Sequence, residues 1–382
     1  MKMVEEEVVI VGAGIAGMAT GVALQRLGIR ALILEKSQGL RATGAALTLT
    51  SNAWLALDLL GGSVTDVGTG ATQAISHGGA TGIGEGPRTV HRKTLLESLA
   101  DELPIGAIRF SSHIDVIETQ LQDGSPIPVI HLSDGLGSPV TSGRSAVRGL
   151  AVFPEGHGLK QESRQFVDVG LRAGFVPLSD KEVYWGLTCL SSPKGEIMAA
   201  DPEVIRREVL ENYVKDFPEI FKDMIQHSDL STLTWAPLMY RYPWDIVFGN
   251  LRKGNVTLAG DAMHPMTPDL GQGGCAALED AVVLGRHIGN SLIKNGGLVP
   301  GAIAQDLDGY VQERKWRVTW LVIGSYFSGW IQQGGSNRWM KFLRYAFYKY
   351  FFMRISSAVD YDCGKLPSVP FSSELGNSKK IE

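Results

Sequence analysis

The stretch Val8-Val9-Ile10-Val11-Gly12-Ala13-Gly14-Ile15-Ala16-Gly17 constrains this chain more than any other. Val8 to Val11 is a β-branched run, as in a strand buried on both faces. Gly12, Gly14 and Gly17 then follow in G-x-G-x-x-G spacing. The first glycine makes a tight turn, the second lets the backbone approach a pyrophosphate, and the third lets a helix pack on the strand. Ala19 to Leu27 reads as that helix, closed by Gly28, and Ala31 to Leu34 as a second buried strand. The result is a βαβ unit. Ile15 and Ala16 lie at the helix N-terminus, where unpaired N–H groups and the positive dipole end favour phosphates. Glu35, followed by Lys36, ends the second strand, where a carboxylate can accept from ribose hydroxyls. It disfavours a 2′-phosphate, so NADP does not suit this loop, while NAD and FAD both do.

The stretch LAGDAMHPMTPDLGQGG, residues 258 to 274, narrows that choice. Asn255 to Ala259 reads as another buried strand, with Asp261 just past its end, where ligands of open parallel sheets bind. Gly271, Gly273 and Gly274 open a long helix predicted over Gly273 to Ile293, and a helix start carries unpaired amides. A second segment with free N–H groups needs an electron-rich target. The N1/O2 edge of a flavin offers one, whereas NAD uses no second site of this kind. His264 has no nucleophile or metal set to pair with, so its His-Pro turn reads as backbone shaping rather than proton transfer.

With 382 residues, 44% of them hydrophobic, the chain can hold more than one domain-sized unit, or one large unit with an insertion. A net charge of −4 argues against a nucleic-acid surface. Cys189, Cys275 and Cys363 are too widely spaced for a disulfide framework or a zinc site, which points to a reducing compartment. A strand within a few residues of Met1 leaves no room for a leader, so a cytoplasmic location is expected. The apolar run WLVIGSYFSGWI is too short and interrupted to span a membrane. Further helices are expected over residues 92 to 100, over Pro202 to Ile225 with a break at Pro218, and over Asp306 to Trp330. Val147 to Val152, Gly174 to Leu178 and Glu182 to Cys189 read as strands, as do AIRFSSHIDVIET and PVIHLSD around a QDGSP turn.

Four segments together, GAGIAG, Glu35-Lys36, VHRKTLLESL and GDAMHPMTPDLGQGGCAALEDAVVLG, resemble the FAD-dependent aromatic-hydroxylase type of monooxygenase. That group includes p-hydroxybenzoate, salicylate and urate hydroxylases and a plant set of similar proteins. The resemblance implies an α/β fold, with a Rossmann-like FAD-binding domain, an interleaved β-sheet substrate domain and C-terminal helices. FAD-binding parts then fall at 1–73, 91–142 and 246–295, substrate-domain parts at 74–90 and 143–245, and a helical region at 296–382. By position it implies that Arg92 reaches the FAD diphosphate and Ile114 the adenine end. Asp261 meets ribityl or phosphate oxygens, Pro268 lies beside the flavin ring, and the Gly271 to Gly274 amides face its N1/O2 edge. Arg172 and Tyr184 match substrate-facing positions, with Pro237 nearby. The implied chemistry is reduction of the flavin by NADH or NADPH, then hydroxylation or epoxidation of a small electron-rich, aromatic-type substrate with O2 through a flavin C4a-hydroperoxide. Oligomeric state is left open.

One departure stands out. The family carries a third motif, a strand ending in Asp-Gly with Ser and Arg beyond, that touches FAD and the NAD(P)H path. Here VIHLSDG runs directly into LGSPVTSGRSAVRGLAVF, so about one strand and one helix are expected to be missing. Loss of a central parallel strand would expose an edge, which leaves a shortened FAD-binding protein with little or no turnover, acting as a ligand sensor or partner, as the alternative function. Finally, residues 338–357 mix aromatics with Lys and Arg. The plainer expectation is a helix packed on the FAD domain; the other is contact with a membrane surface.

Overall fold

The computed structural model describes residues 6–40, 46–61, 87–114, 138–192, 201–351 and 359–369. The expected βαβ unit is present. Strand β1 (Val8–Val11) pairs in parallel with β2 (Ala31–Leu34), Val8 opposite Ala31. Between them α1 (Ile15–Arg26) begins four residues earlier than its apolar run suggested, directly at the glycine loop. An antiparallel pair, β3 (Ala46–Leu49) with β4 (Arg88–His91), flanks α2 (Ser51–Leu60) and leads into α3 (Arg92–Asp101). Strand β5 (Ile108–Arg109) then joins the far side of β2.

A second sheet is antiparallel and five-stranded. It comprises β6 (Val140–Val152), β7 (Arg164–Asp168), β8 (Leu171–Pro177), β9 (Glu182–Leu190) and β10 (Thr234–Tyr240), in the order β10-β6-β9-β8-β7. One face buries Val147, Phe175, Trp185 and Trp235 against Phe221, Met224 and Ile225. Those last three lie on α5 (Glu219–Gln226), which follows α4 (Pro202–Glu208) and starts just after Pro218, the expected break. The burial of β9 alternates residue by residue, so its other face, with Tyr184, Gly186 and Thr188, is turned away from that core.

Beyond α6 (Pro243–Phe248), the expected buried strand at Asn255 to Ala259 is not formed. Only β12 (Val256–Thr257) is extended, and it pairs with β11 (Arg252–Lys253) in a separate two-stranded sheet. The physical reason lies in the neighbour: a parallel strand needs a ladder to join, and no described strand pairs with β1 on the side away from β2. Val9 and Val11 are accordingly 51% and 48% exposed, where a strand buried on both faces was expected. PVIHLSD and residues 115–119 of the preceding run lie outside the described residues, and within the rest of that run only Ile108–Arg109 is a strand.

Three long elements close the fold: α7 (Gly273–Asn295), α8 (Pro300–Gln333) and α9 (Arg338–Ala346). Helix α7 packs against α1, and the packing is tight enough that a Cβ on Gly285 would lie 2.9 Å from the Ala23 Cβ.

Candidate FAD and substrate site

The glycine loop has the geometry its spacing requires. Gly12 sits at φ +102° and its N–H donates to the Leu34 carbonyl at 2.8 Å. A Cβ on Gly17 would overlap the Gly12 carbonyl oxygen, so only glycine lets the helix start this close to the strand. Gly14, by contrast, has nothing within 4 Å of an added Cβ. The space in front of it is open, as a pyrophosphate would need. Glu35 is buried, and its two oxygens accept from the Ala13 N–H at 2.8 Å and the Ser37 N–H at 2.9 Å. It thus fixes the loop. Lys36 beside it is exposed. Ser112 N–H donates to the Glu35 carbonyl at 2.8 Å, which brings the half-buried Ile114 segment up to the same end.

The second stretch folds back onto the first. Gly260, at φ +60°, faces Ala16: a Cβ there would lie 2.7 Å from the Ala16 side chain. A Cβ on Gly274 would lie 3.3 Å from Ile15. The two glycine segments therefore touch, and the starts of α1 and α7 lie together. Between them, Asp261 occupies a short turn, exposed, within 4.0 Å of the Gly273 Cβ position. Gly271 takes a left-handed conformation at φ +66°, and the fully buried Gln272 donates to Thr50 Oγ1 at 3.0 Å and accepts from Asn52 at 3.1 Å. That pair of bonds sets the Gly271–Gly274 loop against α2. Cys275 is buried just behind it, and burial raises its thiol pKa, so it stays protonated.

Behind the loop lies an ionic cluster that spacing alone did not disclose. His264 is fully buried, its Nε2 2.7 Å from Asp280 Oδ2. The same oxygen accepts from Gly260 N–H at 2.7 Å, and Asp280 Oδ1 accepts from Arg314 Nε at 2.7 Å. Burial would raise the Asp280 carboxyl, but His264, Arg314 and the Gly260 N–H outweigh it and hold it at about 2. His264 thus shapes the backbone of the Asp261 turn.

Asp269, the second aspartate of the stretch, faces the other way. Its carboxylate, fully buried, receives a two-pronged pair of bonds from Arg144 at 3.0 and 2.7 Å. Arg172 adds a third at 3.3 Å. Asp269 therefore ties the flavin-side loop to the flat face of the antiparallel sheet. Against that face lies an open cleft of about 190 Å³, lined by Arg148, Arg172, Tyr184, Gly186 and Thr188 with Pro268 at its rim. Gly174 pairs with Gly186, and Gly186 with Arg148, so two glycines leave the floor low beside one long cation. Burial raises the Tyr184 phenol above its ordinary value, partly offset by Arg148 and Arg92. Arg92, at the start of α3, is half-buried and close enough to Tyr184 to lower its phenol pKa. Pro237 stands on edge strand β10 at an irregularity in its pairing and does not line the cleft. The sequence alone does not single out Arg144 or Arg148, which share one strand, because the partner of Arg144, Asp269, lies 125 residues further on.

Comparison with known proteins fits this geometry. Residues 5–77 and 208–324 match the FAD binding domain family. Monooxygenase 2 of Arabidopsis thaliana is 38% identical over 406 aligned positions, covering 94% of this chain and 98% of the relative. The chain belongs to the FAD-dependent monooxygenases. Monooxygenase 1 of the same plant is 35% identical over 95% of this chain and 100% of its own length. A crystal structure of Klebsiella pneumoniae HpxO with FAD and uric acid shares the fold, with a TM-score of 0.69 at 24% identity over 95% of this chain and 97% of that one. The chain is therefore an oxidoreductase of α/β fold whose cofactor is FAD, with NAD(P)H the reductant typical of the family. The 406 aligned positions exceed the 382 residues present, so the relative carries residues that this monooxygenase lacks.

The residues present fit FAD. Open space before Gly14, the exposed Asp261 carboxylate and the adjacent starts of α1 and α7 match phosphate, ribityl and ring-edge chemistry respectively.

Proposed function

We propose that this monooxygenase hydroxylates a small aromatic or heteroaromatic acid, held as its anion in the cleft between Pro268 and the antiparallel sheet. The observation that carries this reading is Arg148. It is half-buried in the cleft wall and forms no ion pair with an acidic side chain among the described residues. Arg172, matched to a substrate-facing position, shares the single Asp269 carboxylate with Arg144, so that trio keeps one net positive charge, which adds to that of Arg148. An uncompensated guanidinium beside a protonated Tyr184 is a ready receptor for a carboxylate, phenolate or enolate. HpxO with uric acid bound supports an acidic ring as the ligand class. Bound FAD would supply the oxygen-activating chemistry. This chain's residues would orient the ring, answer its charge and, through Pro268, limit water on the flavin side.

The test is NAD(P)H oxidation by the FAD-loaded protein with and without a panel of aryl acids, with the product analysed for one added oxygen. No aryl acid altering either the flavin spectrum or the oxidation rate would overturn the reading. Arg148→Gln is expected to weaken binding of the acid roughly 10- to 100-fold, as loss of a charge-assisted hydrogen bond does. Binding of the corresponding neutral amide should change little, as flavin-difference titration would show.

Among the described residues no strand pairs with β1 on the side away from β2, which favours a second reading, in which the flavin is bound but scarcely turned over. The third motif of the family belongs to that side, on the route of the nicotinamide. Anaerobic mixing with NADPH separates the two: slow or absent flavin reduction, with normal reduction by dithionite, assigns the chain to the second.

A further inference from the structure

The second half of α8 breaks a general rule. A helix on the outside of a protein carries charged residues on its outer face, and one apolar all round is buried. Between Arg317 and Arg338 there is no charged residue. One side of this stretch is buried as expected, through Val318, Leu321, Val322, Ser325 and Ser328. The opposite side carries Trp316, Trp320, Phe327 and Trp330, all exposed, Trp320 by 67%. These positions fall within about 80° of one another at 3.6 residues per turn, so they form one stripe. Of the eight tryptophans, Trp54, Trp185 and Trp235 are buried, while three lie on this stripe and a fourth, Trp339, on α9.

Helix α9 continues the pattern. It is pinned to the end of α8 by Arg344, which donates to the Gly334 carbonyl at 2.6 Å, and by Met340 packed on Gly334. Met340 is its one buried residue, whereas Trp339, Phe342 and Tyr345 are exposed. The expected packing of this segment on the FAD domain is therefore not what is seen. Residues 338–351 carry Arg338, Lys341, Arg344 and Lys349 and no acid, in a chain whose net charge is −4.

We propose that the outer faces of α8 and α9 form a docking surface for an anionic phospholipid membrane. Tryptophan and tyrosine favour the boundary between headgroups and acyl chains, because each has an apolar body and a polar tip. Clustered Lys and Arg add attraction to anionic headgroups. No helix among the described residues is long and apolar enough to cross a membrane, so the contact lies along the surface. A second copy of the chain is the other candidate for an exposed apolar face. Charge argues against it. A two-fold contact over this patch brings two sets of four cations together, with no acid on either segment to offset them.

The experiment is co-sedimentation of the FAD-loaded chain with phosphatidylcholine vesicles, with and without about one-third phosphatidylserine. The intact chain should bind the serine-containing vesicles, and raised salt should weaken that binding. Trp320→Ser with Phe327→Ser should abolish it, and Lys341→Glu with Lys349→Glu should lower it at least about tenfold. Both double variants should titrate with FAD as the parent does, since none of these residues lies in the cradle. No binding by the intact chain would overturn the proposal. So would a dimer in sedimentation equilibrium that Trp320→Ser splits, because the face would then belong to a second copy.

Discussion

Arg314→Met should lower the stability of this monooxygenase by about 3–5 kcal/mol, the penalty for removing one partner of a buried ion cluster. Arg314 is fully buried and holds two fully buried carboxylates, Asp280 at 2.7 Å and Glu279 at 2.7 Å. Methionine fills similar volume but leaves Asp280 with only His264 and the Gly260 N–H. Arg317, at 2.9 Å, still answers Glu279. The loss therefore falls mainly on the carboxylate that fixes the Asp261 turn. The pH dependence has a definite sign. The Asp280 carboxyl lies below its ordinary 3.8, at about 2, so its contribution is present above 3.8 and lost as pH falls through about 2. The gap between parent and variant should be widest near neutrality and close below that window. Urea unfolding across pH measures it, and a variant as stable as the parent at pH 7 would remove the cluster from the account of the loop.

Gly14→Ala should act on the ligand and leave the fold alone. The backbone at Gly14 has φ −78°, which any residue adopts, and an added Cβ meets no protein atom within 4 Å. The melting temperature without flavin should match the parent, while FAD affinity falls by about 100-fold or more because the methyl enters space the pyrophosphate needs. Gly17→Ala is the contrast. There the Cβ meets the Gly12 carbonyl itself, so stability and flavin should be lost together. If Gly14→Ala binds FAD as tightly as the parent, the open space before the loop is not a phosphate site.

These two variants also separate what was legible in the sequence from what was not. Gly12, Gly14, Gly17 and Glu35 could be read directly, because a strand, a tight turn and a helix start are local and each glycine answers a local constraint. Residues Gly273 to Ile293 could likewise be read as a helix from periodicity. The Arg144–Asp269–Arg172 tie could not, since it joins a strand to a loop 125 residues further on. Nor could the company of His264, whose partner Asp280 is set by the packing of α7 against the turn. The strand expected at Asn255 to Ala259 is confined to Val256–Thr257 for a related reason: a parallel strand needs a neighbour, and no described strand pairs with β1 on the side away from β2. The surroundings of residues 338–351 are not legible either, because amphipathic spacing says which side of a helix is apolar, not what covers it.

We propose that the two glycine segments, brought into contact through Ala16–Gly260 and Ile15–Gly274, form one FAD cradle even though no described strand pairs with β1 on the side away from β2. A titration of the flavin-free chain with FAD, followed by flavin fluorescence, tests it most directly. The predicted result is one saturable site per chain, weakened to a similar extent by Gly14→Ala in the first segment and Asp261→Ala in the second. A folded chain that shows no saturable FAD binding, or whose binding is indifferent to either substitution, would contradict it.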